Sequence, residues 1–90
     1  MKHQIVYTNK FLKDVRKYSK SSIDFKGKLG EVIESLGSRS VLPEKFKDRK
    51  LSGPWEGYRE CHILFDLLLV YKPYRNYVEL VTPGTHKELF

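Results

Sequence analysis

Histidine and carboxylate side chains gather in the second half of the chain, where Glu60, His62 and Asp66 follow one another closely and His86 stands near the end. If residues 58 to 64 form a strand, alternation puts Tyr58, Glu60, His62 and Leu64 on one face and Arg59, Cys61 and Ile63 on the other. Glu60 and His62 then converge on one substrate, Asp66 follows at the next turn, and His86 lies on a segment able to fold back over the sheet. Such groups on a concave surface suit RNA cleavage. One takes the proton of the 2′-OH, another protonates the departing 5′-oxygen, and a cation such as Arg59 or a lysine steadies the phosphorane. Structural roles compete with this. A strand histidine is more often a hydrogen-bonded structural residue, a Glu facing a cation is usually a surface ion pair, and a histidine near a terminus is often merely solvated. Spacing alone leaves both readings open.

Other chemistries fit less well. His3, His62, His86 and Cys61 lack the local spacing of a metal site, so no metal or other cofactor is expected. Cys61 and His62 are adjacent in a strand and point oppositely, which rules out a nucleophile–base pair and makes Cys61 a small core residue. Phosphate-loop, dinucleotide and nucleophile-elbow glycine patterns are missing, and turn formation explains Gly53 to Gly57. Trp55, Tyr58 and Phe90 are candidates to stack on RNA bases.

Seventeen Lys and Arg against eleven Asp and Glu give a net charge of +6. That favours a polyanionic partner, since each neutralised phosphate releases counterions, although small basic domains often touch no RNA. The 90 residues suit one domain spanning 1–90, with 40% apolar content sufficient for one core. A lone cysteine excludes an internal disulfide and fits a reducing cytosol. Met1-Lys2-His3-Gln4 leads into no apolar signal core, and no run nears the roughly 18 residues of a membrane span, so a cytoplasmic location is expected.

The elements that would carry these residues can be read in order. Residues 3 to 8 predict a strand. Thr8 or Asn9 caps a helix to about Tyr18, with Phe11, Leu12, Val15 and Tyr18 on one face and Lys10, Lys13, Lys17 and Lys20 on the other. Ser22 or Asp24 opens a second helix to about Leu36, with Phe25, Leu29, Val32, Ile33 and Leu36 as its stripe, stopped at Gly37-Ser38. Residues 38 to 50 read as a charged connection holding Arg39, Lys45, Lys47, Arg49 and Lys50. Leu51 begins a strand region interrupted at residues 53 to 57. Strands follow over 58 to 64, 67 to 71 and 77 to 82, broken by Pro83-Gly84 before a short tail. The order β-α-α-β-β-β predicts an α+β domain, a mainly antiparallel sheet with two N-terminal helices on one face.

The runs Leu51-Ser-Gly-Pro-Trp55-Glu-Gly-Tyr-Arg59-Glu-Cys-His62, Asp66-Leu-Leu-Leu-Val-Tyr71 and Gly84-Thr-His86-Lys-Glu-Leu-Phe90 resemble the YafQ branch of the RelE/ParE toxin superfamily. The resemblance covers nearly the whole chain. It implies a ribosome-dependent mRNA interferase toxin of a type II toxin–antitoxin system, acting in the A site without metal and silenced by a cognate antitoxin, its only route to an oligomer. Carried over by motif, His62, Asp66, His86 and Phe90 fall on active-site positions and Glu60 on one that is often acidic. His86 would be the general acid, Phe90 would help place the base, and His62 and Asp66 would position or deprotonate the nucleophile. Arg49, Lys47, Lys50, Arg59, Lys10, Lys13 and Lys17 would bind RNA. One departure stands out: YafQ-like proteins typically carry a histidine after the Lys-Asp pair, and here Lys47-Asp48 is followed by Arg49. Either His62 takes the base role or Arg49 contributes only charge. The alternatives are a ParE-like toxin acting on DNA gyrase, against which His62, Asp66 and His86 together argue, and a non-catalytic RNA-binding module.

Overall fold

Thr8 ends the first strand and starts the first helix. In the computed structural model, which describes residues 3–20, 23–38 and 41–90, β1 (Gln4–Tyr7) runs into α1 (Asn9–Ser19). The Thr8 hydroxyl accepts from the Phe11 N–H at 2.9 Å and donates to the Val81 carbonyl at 2.6 Å. One side chain therefore satisfies a helix-start amide and ties that helix to the last strand. Along α1, Phe11 is buried and Val15 and Tyr18 pack against the core, while Leu12 stays 46% exposed. Phe11, Val15 and Tyr18 repeat at helical spacing; Leu12 lies about 100° further round, off the buried stripe on which its apolar character had placed it.

The second helix, α2 (Ile23–Gly37), has Asp24 in its first turn and buries Phe25, Leu29, Val32 and Leu36, with Ile33 at the margin. Ser22, weighed as its cap, and Arg39 of the basic connection lie outside the described residues. The Gly37 carbonyl accepts from the His3 N–H at 2.7 Å and so fastens the end of α2 to the start of β1. No helix among the described residues is long and apolar enough to cross a membrane.

The remaining strands are β2 (Arg49–Lys50), β3 (Arg59–Leu64), β4 (Leu67–Pro73) and β5 (Tyr77–Gly84), followed by the one-turn helix α3 (His86–Leu89). Sheet order is β1-β5-β4-β3-β2, with β1 parallel to β5 and the other pairs antiparallel. This is the expected α+β arrangement with two additions: a short strand inside the charged connection and a helical turn in the tail. Pro83-Gly84 continues β5 rather than breaking it, with Pro83 opposite Leu69 and Gly84 opposite Leu68. β1 stops opposite Leu80, so Pro83 has a neighbouring strand on one side only and its missing N–H leaves no partner wanting.

One sheet face, carrying Cys61, Ile63, Leu69, Tyr71, Val78 and Leu80, forms a single cluster with Phe11 and the α2 stripe. Cys61 is fully buried there, and burial pushes its thiol pKa up, which makes it an inert core residue. Thr8→Ala is expected to lower unfolding free energy by about 1–2 kcal/mol, measured by urea denaturation. A loss of only a few tenths would mean that the double tie at Thr8 does not hold the α1–β5 junction.

Candidate active site

Two register shifts decide which side chains share the face opposite the core. One falls between His62 and Leu64 on β3, the other between Val70 and Tyr71 on β4. Between them run two cross-strand rows: Glu60 opposite Val70 and Val70 opposite Thr82, then His62 opposite Leu68 and Leu68 opposite Gly84. A bulge re-aims side chains that strict alternation would place elsewhere. Leu64, expected beside His62, shares a hollow with it and also packs against the core.

The C-terminal turn is built onto this face. Thr85 and Glu88 form a capping box, with the Thr85 N–H donating to Glu88 Oε1 at 2.9 Å and the Glu88 N–H donating to Thr85 Oγ1 at 3.2 Å. Glu88 also accepts from the Tyr18 hydroxyl at 2.5 Å and pairs with Lys17 at 3.4 Å, so α3 is latched to α1. The Tyr18 hydrogen bond, with help from Thr85 and Lys17, holds the Glu88 carboxyl down to about 2. Burial first, and then the Glu88 carboxylate, pushes Tyr18 up to about 12. On the sheet side, a Cβ on Gly84 would meet Leu89 Cδ2 at 3.0 Å, so Leu89 sits against the strand only because position 84 has no side chain. Beyond it, the Phe90 ring stands 5.6 Å from Trp55, edge-on, and 5.2 Å from His86.

His62, Asp66 and His86 line one cleft of ≈ 550 Å³. Lys28 of α2 and Lys45 and Lys47 of the connection line it too, as does Phe65 at the β3–β4 turn. Lys47 is placed by its neighbours. Phe46 is 1% exposed, and Asp48 accepts from Arg59 Nη2 at 2.8 Å and from the Tyr71 hydroxyl. Between these anchors Lys47 has φ 48°, a left-handed conformation uncommon outside glycine, and its N–H closes a turn onto Glu44. Lys45 is 3.0 Å from Glu31. Among the described residues, no three His, Cys, Asp or Glu side chains gather as a metal site.

Several sequence-predicted site residues lie elsewhere. Glu60 is fully buried, does not line the cleft, and accepts from Arg49 Nε at 2.5 Å. Arg59, considered as a phosphate-steadying cation, is held by Asp48 on the core side and does not line the cleft. Phe90 packs on His86 from outside the cleft rather than lining it. The α1 stripe is partly spent on ion pairs: Lys10 is 2.8 Å from Asp14 and Lys17 holds Glu88, whereas Lys13 and Lys20 are exposed. Lys50 lies in a separate hollow with Tyr58 and Pro73. The sequence reading missed Lys28 and Phe65. Lys28 had a signal, since it stands three residues after Phe25 and four before Val32, at the margin of the buried stripe.

Two outcomes test how α3 is held. Gly84→Ala is expected to displace α3 from the sheet while leaving the core intact, seen as altered Trp55 fluorescence with nearly unchanged far-UV circular dichroism; an unaltered Trp55 spectrum would show that Leu89 can yield. The pH response follows from Glu88, whose pKa is depressed from the ordinary 4.5 to about 2. A depressed carboxyl stabilises fully above its unfolded pKa and loses that contribution as pH falls through the folded value. The latch is therefore expected to hold throughout pH 5–8 and to weaken between about pH 4.5 and 2. Trp55 emission should move in that window in the native chain and less in Glu88→Gln; identical titrations would remove Glu88 from the latch.

Comparison with known proteins bears on the whole chain. Residues 3–90 match the family described as bacterial toxin of type II toxin-antitoxin system, YafQ. The mRNA interferase toxin YafQ of Escherichia coli strain K12 is 33% identical over 91 residues, covering 100% of this chain and 98% of the relative. A copper-bound mutant toxin from Helicobacter pylori superposes with TM-score 0.91 at 36% identity, covering 100% of both chains. In the Escherichia coli DinJ–YafQ toxin–antitoxin complex, one chain superposes with TM-score 0.88 at 33% identity, covering 100% of this chain and 99% of that one. The chain with the cleft between α2, the β3–β4 turn and α3 belongs to the YafQ family of bacterial toxins of type II toxin–antitoxin systems.

Proposed function

We propose that this protein is an endoribonuclease that cuts messenger RNA on the ribosome, in the cytoplasm, and is silenced by a cognate antitoxin. The observation that carries the reading is the meeting of His62, Asp66 and His86 in one cleft with Lys28, Lys45 and Lys47. Two imidazoles and a carboxylate supply proton donors and acceptors, and the lysines supply charge for the phosphate.

In this reaction the ribose 2′-oxygen attacks the adjacent phosphorus while His62, oriented by Asp66, removes the hydroxyl proton. The bond from phosphorus to the 5′-oxygen breaks, and His86 gives that oxygen a proton. The products are a 2′,3′-cyclic phosphate and a 5′-hydroxyl. Phe90, packed against the imidazole of His86, fixes the acid's orientation. Lys47 and Lys28 face the phosphate. Arg49 supplies charge rather than proton transfer, because a guanidinium stays protonated; Glu60 positions Arg49 and does not touch RNA. Lys13 and Lys50, with the paired Lys10 and Lys17, extend the basic surface toward the ribosome. The Escherichia coli relative solved with DinJ, together with the net charge of +6, supports an antitoxin partner with a carboxylate-rich segment for this chain.

His62→Ala and His86→Ala should each slow cleavage by about 10²–10⁴-fold while changing stability little. The measurement is primer-extension mapping of transcripts on ribosomes after induction, with circular dichroism as the folding control. Full cleavage by both variants, or native-chain toxicity without transcript cuts, would overturn the assignment; the latter result would point to a target other than RNA.

A further inference from the structure

Phe65 is 98% exposed, an exposure the fold does not require. With Asp66 it makes the two-residue turn between β3 and β4. Such turns favour residues that take positive φ, Asn-Gly above all. Neither Phe65 nor Asp66 has a positive φ, and the register beside the turn is shifted. The tip thus carries a residue pair that suits neither the turn nor the core, and it holds a phenyl ring in solvent where burial would have been favourable. This ring also lines the cleft that contains His62, Asp66 and His86. It differs from Phe90, whose ring already meets Trp55 and His86; no ring contact engages Phe65 among the described residues.

What could meet a bare ring there follows from the rest of the cleft. Lys28 and Lys47 make no ion pair among the described residues, and Lys45 pairs with the exposed Glu31 and lies over the Phe46 ring. A partner that brings negative charge to those lysines and a flat apolar face to the ring is a single-stranded nucleic acid. An unstacked base offers its π-face to an aromatic side chain whatever its identity. We propose that Phe65 is a stacking platform for a nucleobase flanking the scissile phosphate, with Lys28 and Lys47 holding the intervening backbone. The proposal rests on the interferase reading and adds a subsite to it, one that sets how tightly and in what register the RNA is held.

Phe65→Ala, Phe65→Leu and Phe65→Tyr separate stacking from bulk. Cleavage by each purified variant is measured on ribosomes programmed with a defined messenger, giving KM, kcat and the cut position. Stacking on one base predicts KM raised about 5- to 150-fold for Ala and nearly as much for Leu, with kcat little changed because the contact is made equally in ground and transition states. Tyr should restore KM. Antitoxin affinity of each variant, measured separately, should stay near that of the native chain. An unchanged KM in Phe65→Ala overturns the subsite. So does rescue by Leu equal to that by Tyr, or an effect confined to antitoxin affinity. No cleavage by the native chain would instead overturn the interferase reading, and the subsite with it.

Discussion

Asp48 holds the part of the cleft that comes from a connection rather than from a regular element. Its carboxylate accepts from Arg59 Nε at 3.3 Å and Nη2 at 2.8 Å, and also from the Tyr71 hydroxyl. Arg59 belongs to β3 and Tyr71 to β4, directly opposite each other. The interaction therefore spans two strands and fixes the connection to both. Burial and then Asp48 push the Tyr71 hydroxyl pKa up, while Asp48 pushes that of Arg59 up, so the network keeps one set of protonation states near neutrality. A connection without regular structure would otherwise lose about 1–2 kcal/mol of backbone freedom per ordered residue with little in return. Phe46 sinks into the core on one side and Asp48 bonds the sheet on the other, and Lys47 between them has no choice of direction. Its left-handed backbone, uphill by about 1–2 kcal/mol for a residue with a side chain, is sustained by those two anchors.

The other wall depends on the absence of a side chain. Leu89 lies against Gly84, and the α3 turn, too short to be stable alone, is secured by the capping box and by Tyr18 and Lys17 of α1. His86 begins this turn and Phe90 follows it, so the same few contacts place both residues. Lys28, Lys47, Asp66 and His86 thus come from four separate stretches of chain. Only the closed fold brings them to one cleft.

Much of this was legible in the sequence because it rests on periodicity and on local side-chain bonds. The α2 stripe, the Thr8 cap, the core position of Cys61 and the order of the main elements all belong to that class. The bulges are another matter: a one-residue slip leaves no mark in composition, yet beside it Leu64 packs against the core as well as lining the cleft with His62. Pro83 read as a breaker because its tolerance depends on where β1 ends. Arg59 and Glu60 read as site residues because each has the right chemistry. In the structure they are held by Asp48 and Arg49, partners outside β3 that alternation along that strand cannot show. Phe65 escaped notice because an aromatic between strands looks like core until the turn is built.

The Arg49–Glu60 pair bears on which side chains are free to move a proton. The resemblance to YafQ-like proteins implies a histidine at the position of Arg49, and an imidazole there could exchange a proton near neutrality. Arg49 cannot; its side chain is 62% exposed, while its Nε is held by a carboxylate with no exposure at all. Glu60 Oε2 has no hydrogen-bond partner, so the guanidinium is the only donor that offsets burial of this charge among the described residues. Removing Arg49 would leave a buried carboxylate without its partner. On the proposed reading, proton removal then falls to His62, the only imidazole on β3, two residues along from Glu60 on the same face. The Glu60 carboxylate holds a permanent cation at position 49. On that reading position 49 offers charge rather than a proton acceptor, and proton transfer rests with His62, Asp66 and His86.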